Sequence, residues 1–191
     1  MLVGCRFNFD PLGATGDANG DARGSNALDA PLGPTRLIFT TVGTYQGSLG
    51  TLATNDALCT SLANGAGHAG TFAAVLTTTG VDVTARIPLS GGKTILRNDG
   101  VIVATDATFF TAAHSAALDV DLAGTLLTAN LFAWTNVEAT GVAGASDCAG
   151  WTDASNANAG VTGSLSATDA TWADVGTAKC NRVAHLVCIE L

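Results

Sequence analysis

Apolar residues recur along this chain with two periods, and the change from one to the other divides it into elements. "VGCRFNF" alternates: Val3, Cys5, Phe7 and Phe9 fall on one face of an extended segment, with Arg6 and Asn8 on the other. "RLIFTTV" sets Leu37, Ile38 and Phe39 among β-formers and predicts the first strand of the body. In "TLATNDALCTSLANGAG" the period lengthens. Leu58, Cys59, Leu62 and Ala63 recur at helical spacing, with Thr54 or Asn55 as the cap and Gly65 or Gly67 at the end. The runs "TFAAVL", "VDVTARI", "TILR", "VIVA", "LFAWTNV" and "VAHLVCIEL" predict short strands, and the Asp-Gly pair of "RNDGV" a tight hairpin. From Gly141 to Gly176 the pattern dissolves into Gly, Ala, Ser, Thr and Asn with Trp151 and Trp172 as isolated anchors, and a long loop is expected there.

Composition adds a boundary. "DPLGATGDANGDARGSNALDAPLGPT", residues 10–35, holds three of the four prolines and reads as a linker, so the chain divides into an extended N-terminal arm, 1–35, and a body, 36–191. Of the 191 residues 47% are hydrophobic and only 13% charged. That is too apolar for disorder and too poor in Lys and Glu for a helical bundle; it suits a secreted, hydroxyl-rich β protein. A net charge of −8 argues against a nucleic-acid partner, because phosphate neutralisation needs clustered Lys and Arg. No run approaches the roughly 18 apolar residues that span a bilayer.

Cysteine usage sharpens the picture. Cys59, Cys148, Cys180 and Cys188 lie in the body and Cys5 stands apart, none in the Cys-x-x-Cys spacing of zinc or redox sites. An even set in a small Gly-rich body reads as two disulfides formed in an oxidising compartment, with three connectivities open.

The stretches "ALCTSLANGAGHAGTFAAVL", "CAGWTD" and "CNRVAHLVCIEL" together resemble bacterial extracellular domains related to endostatin and the C-type-lectin-like fold, over residues 36–191. The resemblance implies an α+β domain of short strands, one main helix and a long irregular loop. It also implies nested bridges, Cys59 with Cys188 and Cys148 with Cys180. Sugar-binding members of the fold use calcium, through a Glu-Pro-Asn or Gln-Pro-Asp triplet and a Trp-Asn-Asp triplet. This chain has "WTD" at Trp151–Asp153 and no proline after Pro88, so the first triplet is missing and the second is a near miss. Trp151, Asp153 and Trp172 mark the loop expected to face a glycan or host protein, although Trp151 is better placed to pack beneath that loop beside the Cys148 bridge.

Metal chemistry has few candidates. Asp17, Asn19 and Asp21 match the first, third and fifth positions of a calcium loop, but Ala22 stands at the glycine position and Leu28 at the twelfth, with Asp29 one place late. His68, His114 and His185 are the other candidate ligands; no two are spaced to share an ion on one element, and His185 is expected to share a strand face with Val183 and Val187. No cofactor is therefore expected beyond calcium or another metal ion at these residues. Enzyme signatures are missing: there is no Gly-x-Ser-x-Gly, no His-Glu-x-x-His, no phosphate loop and no evident paired carboxylate set, and no histidine neighbourhood suggests a base for a nucleophile.

The arm admits two functions. Ordering a Gly/Asp-rich segment costs about 1–2 kcal/mol per residue, so it needs docking of Phe7, Phe9, Leu12 and Leu28 in a groove. Val3, Cys5, Phe7, Phe9 and Leu12 then form an assembly arm that engages the next copy head to tail, a contact that propagates as a filament or oligomer. Alternatively, Leu2-Val3-Gly4 before Cys5 resembles a lipobox, and acylation of Cys5 makes the protein a surface lipoprotein adhesin whose only membrane contact is that lipid. Only Met1 to Gly4 precede Cys5, too few for the apolar core of a signal peptide, which weighs against it. Both readings are extracellular, and neither is enzymatic.

Overall fold

The computed structural model describes residues 33–138 and 140–191; the arm residues Val3, Cys5, Phe7, Phe9 and Leu12, and the calcium-loop candidates Asp17, Asn19 and Asp21, lie outside the described residues. Strand β1, Thr35–Thr40, starts one residue before the expected boundary and sits at the centre of a five-stranded mixed sheet. The other members are β2 (Phe72–Ala74), β3 (Thr94–Arg97), β4 (Ile102–Thr105) and the last strand, β8 (Val187–Glu190), in the order β2-β8-β1-β3-β4. β1 runs parallel to β3 and antiparallel to β8, so the first and last strands of the body pair in the middle of one sheet. Their two-residue alternation separates the core. The partners Ile38 and Ile189 face one apolar cluster with Ile95 and Val103, and the next pair, Phe39 and Cys188, face a second cluster with Phe72 and Leu76. The β3–β4 hairpin turns where expected, with Gly100 at φ 82° and the Arg97 N–H donating to the Val101 carbonyl.

Helix α1, Leu52–Gly65, covers the second cluster with Asn55, Cys59 and Ala63, four residues apart. The cap differs from the expected one. Thr51, held extended at φ −76° and ψ 156°, accepts from the Thr54 N–H, whereas Asn55 lies one turn inside and its side-chain amide donates to the Leu49 and Thr51 carbonyls. The helix closes at Ala66, whose N–H donates to the Leu62 carbonyl, and Gly67 turns away at φ 88°.

Two further expectations are corrected. "VDVTARI" is not a strand: Val83–Arg86 forms a single helical turn, α2, tied to its surroundings by side chains rather than a ladder. Arg86 pairs with Asp56 at 2.7 Å and donates to the Leu76 carbonyl, and Asp82 accepts from the Ala143 N–H. The stretch 141–176 is not an irregular loop. It contains a four-residue turn, α3 (Cys148–Trp151), strand β6 (Ala159–Ser164) and a 3-10 turn at Ala170–Trp172. β6 is the centre of a second, antiparallel sheet, β5-β6-β7, with β5 at Phe132–Trp134 and β7 at Gly176–Lys179. The glycines that read as loop are close approaches. A β-carbon at Gly163 would lie 1.8 Å from the Trp172 carbonyl oxygen, and one at Gly160 2.9 Å from the Cys148 sulfur.

Two nested disulfides join these parts, Cys59–Cys188 from α1 to β8 and Cys148–Cys180 from α3 to the end of β7. They span 129 and 32 residues, which the chain-entropy relation converts to about 5 and about 4 kcal/mol. The inner bridge holds an unusual turn: Cys148, Ala149, Gly150 and Trp151 all have φ between 53° and 68°, a left-handed conformation that costs L-residues roughly 1–2 kcal/mol each. Asp147 caps it through the Gly150 N–H at 2.8 Å, and buried Trp151 anchors it by donating its indole N–H to the Thr77 carbonyl. Such bridges persist in oxidising compartments, so folding belongs outside the reducing cytosol. Among the described residues no helix is long and apolar enough to cross a membrane.

Candidate functional site

The second sheet carries a wide opening, and its origin lies in side-chain size. Phe132 and Trp134 share a face of β5; Trp134 is paired with Thr162 of β6, and Thr162 with Gly176 of β7, so Thr162, Gly176 and Ala178 continue that face. Neither Gly176 nor Ala178 can fill the space beside the aromatic rings. The result is an open cleft of about 750 Å³. Its floor includes Trp134, fully buried, and its rim exposes Phe132, Val175 and Val183, each 46% accessible.

Segment 181–184 forms one wall, and it is held firmly. Tyr45 and Ala184 exchange backbone hydrogen bonds at 2.8 and 3.0 Å, Gly47 donates to the Cys180 carbonyl, and the Gln46 side chain donates to the Asn181 carbonyl. The Trp134 indole N–H donates to the Tyr45 carbonyl, which joins floor and wall. Burial raises the Tyr45 phenol above its ordinary range, with the Thr41 hydroxyl opposing, so it is neutral across physiological pH.

Charge adds to this face. Arg36 pairs with Asp106, Arg86 with Asp56, and Arg97 with Asp99 and Asp119. Among the described residues Lys93, Lys179 and Arg182 have no carboxylate partner, and the last two stand at the end of β7 and in the wall. On a chain of net charge −8, Arg182 thus brings an unpaired positive charge to the cleft wall, with Lys179 close by in sequence.

The sequence-predicted residues fall elsewhere. Trp151 and Trp172 do not face a ligand: both are buried, Trp151 edge-on to Trp134 and beside both half-cystines of the inner bridge, Trp172 against Phe109, Phe110 and His114. Each ring is worth more in the core than exposed, and the left-handed turn aims Trp151 inward. Asp153 is exposed in a turn, where the Ser155 backbone N–H, then the Asn158 amide and the Ser155 hydroxyl, hold its carboxyl below the usual carboxylate range.

The three histidines are kept apart. His114 stacks on Phe109 and uses its Nε2 on the Phe109 carbonyl, while burial pulls its imidazole below the ordinary histidine range. His185 is buried with Nδ1 2.6 Å from the Thr41 carbonyl, and the expected face shared with Val183 is corrected, since Val183 points to solvent while Val187 is buried. His68 follows α1 in a turn, half-buried. Among the described residues no three His, Cys, Asp or Glu side chains converge on one point, and no hydrogen bond joins a histidine to a Ser, Thr or Cys side chain.

Sequence reasoning missed the cleft because its makers are Gly176, Ala178, Thr162 and Phe132, residues with no reactive group. The available signal was Phe132, an aromatic on a strand otherwise expected to pack. No protein-family model matches the chain, and no curated protein matches it either.

Proposed function

We propose that this chain is a non-enzymatic extracellular structural protein, a disulfide-stapled head that works by adhesion, with its N-terminal arm docking on a neighbouring head to build a filament or oligomer. The nested bridges joining the helix to the last strand support a C-type-lectin-like, endostatin-like assignment of the head. The observation that carries the adhesive reading is the pinned cleft on the second sheet, with Phe132, Val175 and Val183 exposed on its rim. Contiguous exposed apolar surface on a rigid body marks a contact site for a partner. The arm supplies a partner of matching character, since its sequence alternates Val3, Cys5, Phe7 and Phe9 with polar residues. Deleting residues 1–12 tests this: sedimentation should find the truncated head monomeric where the full chain assembles, and equal assembly of both would end the reading.

A second reading rests on Leu2-Val3-Gly4 before Cys5 and the hydrophilic spacer that follows. Acylated at Cys5, the head is displayed at the outer cell surface and the same cleft meets a glycan or host protein. Mass spectrometry of the native N-terminus separates the two. An acylated Cys5 as first residue selects the lipoprotein, and an intact Met1 excludes it.

A further inference from the structure

Sheet edges decide where an extended arm can bind, and among the described residues three of the four edges are already covered. β2 is closed by helix α1: the Thr60 hydroxyl bonds both the N–H and the carbonyl of Phe72, and Asp56 accepts from the Ala74 N–H. β5 is covered by the C-terminal segment, where His185 donates to the Phe132 carbonyl and accepts from the Trp134 N–H. On β4 the Val103 carbonyl accepts from Ser115. β7 is different. Thr177 lies opposite Val161, whose N–H donates to Ser146 and whose carbonyl accepts from Thr135. Opposed residues of an antiparallel pair exchange both bonds or neither, so Thr177 turns its own N–H and carbonyl to the open side. Three of the four β7 residues are exposed.

We propose that this open edge of β7 is the acceptor for residues 3–9 of a second copy, which add to the sheet as a further strand with Val3, Cys5, Phe7 and Phe9 on the cleft face. This rests on the assembly reading above and names its acceptor. Strand addition supplies the backbone groups that Thr177 lacks, and Gly176 and Ala178 leave room beside them for the phenylalanine rings. Charge sets the direction. Asp10 follows Phe9 directly, and Lys179 and Arg182 stand at the C-terminal end of the edge, so the added strand runs parallel to β7. The 26 residues from Phe9 to Thr35 reach about 85 Å when extended, ample for a neighbouring head.

The test is a complementation of full-length chains, read as molar mass by light scattering. F7D/F9D removes the donor; T177P removes the outward N–H without touching the β6 ladder, and Phe132→Asp, at an exposed position, serves as a second acceptor variant. Each variant should be monomeric at concentrations where the wild type assembles, and an equimolar mixture of donor-dead and acceptor-dead chains should give one discrete dimer. Exchange of Lys179 and Arg182 for Asp should weaken wild-type assembly at least tenfold, with D10K restoring it. If F7D/F9D stays monomeric while T177P and Phe132→Asp assemble like the wild type, the acceptor lies elsewhere and the inference falls, though assembly stands. A wild type monomeric at every concentration removes the assembly reading itself. Retention of a surface glycan by F7D/F9D, lost in Phe132→Asp, assigns the cleft to that ligand instead.

Discussion

Gly163 and Gly65 are the same residue type under opposite constraints. A methyl at Gly163 would lie 1.8 Å from the Trp172 carbonyl oxygen, a backbone atom that cannot swing aside, whereas one at Gly65, the last residue of α1, meets nothing within 4 Å. Gly163→Ala should therefore cost at least about 3 kcal/mol in urea unfolding, and Gly65→Ala should be neutral or add about 0.5 kcal/mol. Equal effects would disprove the close approach that makes β6 a strand. His114 offers a second measurement. Its Nδ1 is buried with no partner among the described residues, and burial holds the ring below the ordinary histidine range, so the neutral form is the one the fold accepts. The folded value lies below the unfolded one; the stabilising difference is complete above the ordinary histidine value near 6.5 and is lost as pH falls through the folded one. Unfolding free energy should drop between pH 7.5 and 5, and His114→Phe, which keeps the stack on Phe109 and Trp172, should flatten that part of the profile.

At the scale of elements, local signals and tertiary demands divide cleanly. α1 was legible because Cys59 and Ala63 repeat at helical spacing, yet its cap was not. Thr51, Thr54 and Asn55 are all competent caps, and only the extended backbone at Thr51 selects among them. Thr51→Ala should lower stability by about 1 kcal/mol, with Thr54→Ala well below that. The left-handed turn at 148–151 depends on its bridge. Replacing Cys148 and Cys180 by Ser should remove about 4 kcal/mol and, by releasing the turn, open Trp151 to solvent. Tryptophan fluorescence shifted to the red in that variant, unchanged in Thr51→Ala, is the expected outcome. "VDVTARI" misled because its alternation is real, but Arg86 and Asp82 take their partners from distant segments and leave no strand beside it.

For the molecule as a whole, the bridges and the cleft belong together. Cys180 follows β7 directly and its carbonyl accepts from Gly47, so the inner disulfide also fixes the wall beside the cleft. Mild reduction that opens only Cys148–Cys180 should weaken binding at the cleft before it melts the five-stranded sheet, which hydrogen exchange of β1 and β8 would follow. The chain alone determined the α+β character, the helix, the first and last strands and the number of bridges, because periodicity and cysteine count act over short windows. Only the tertiary structure decided that a glycine-rich stretch is the middle strand of a second sheet, and that two tryptophans are core. It also decided that a hollow opens over Gly176 and Ala178. Missing side chains acquire meaning through what packs against them from elsewhere in the chain, and no local pattern carries that information.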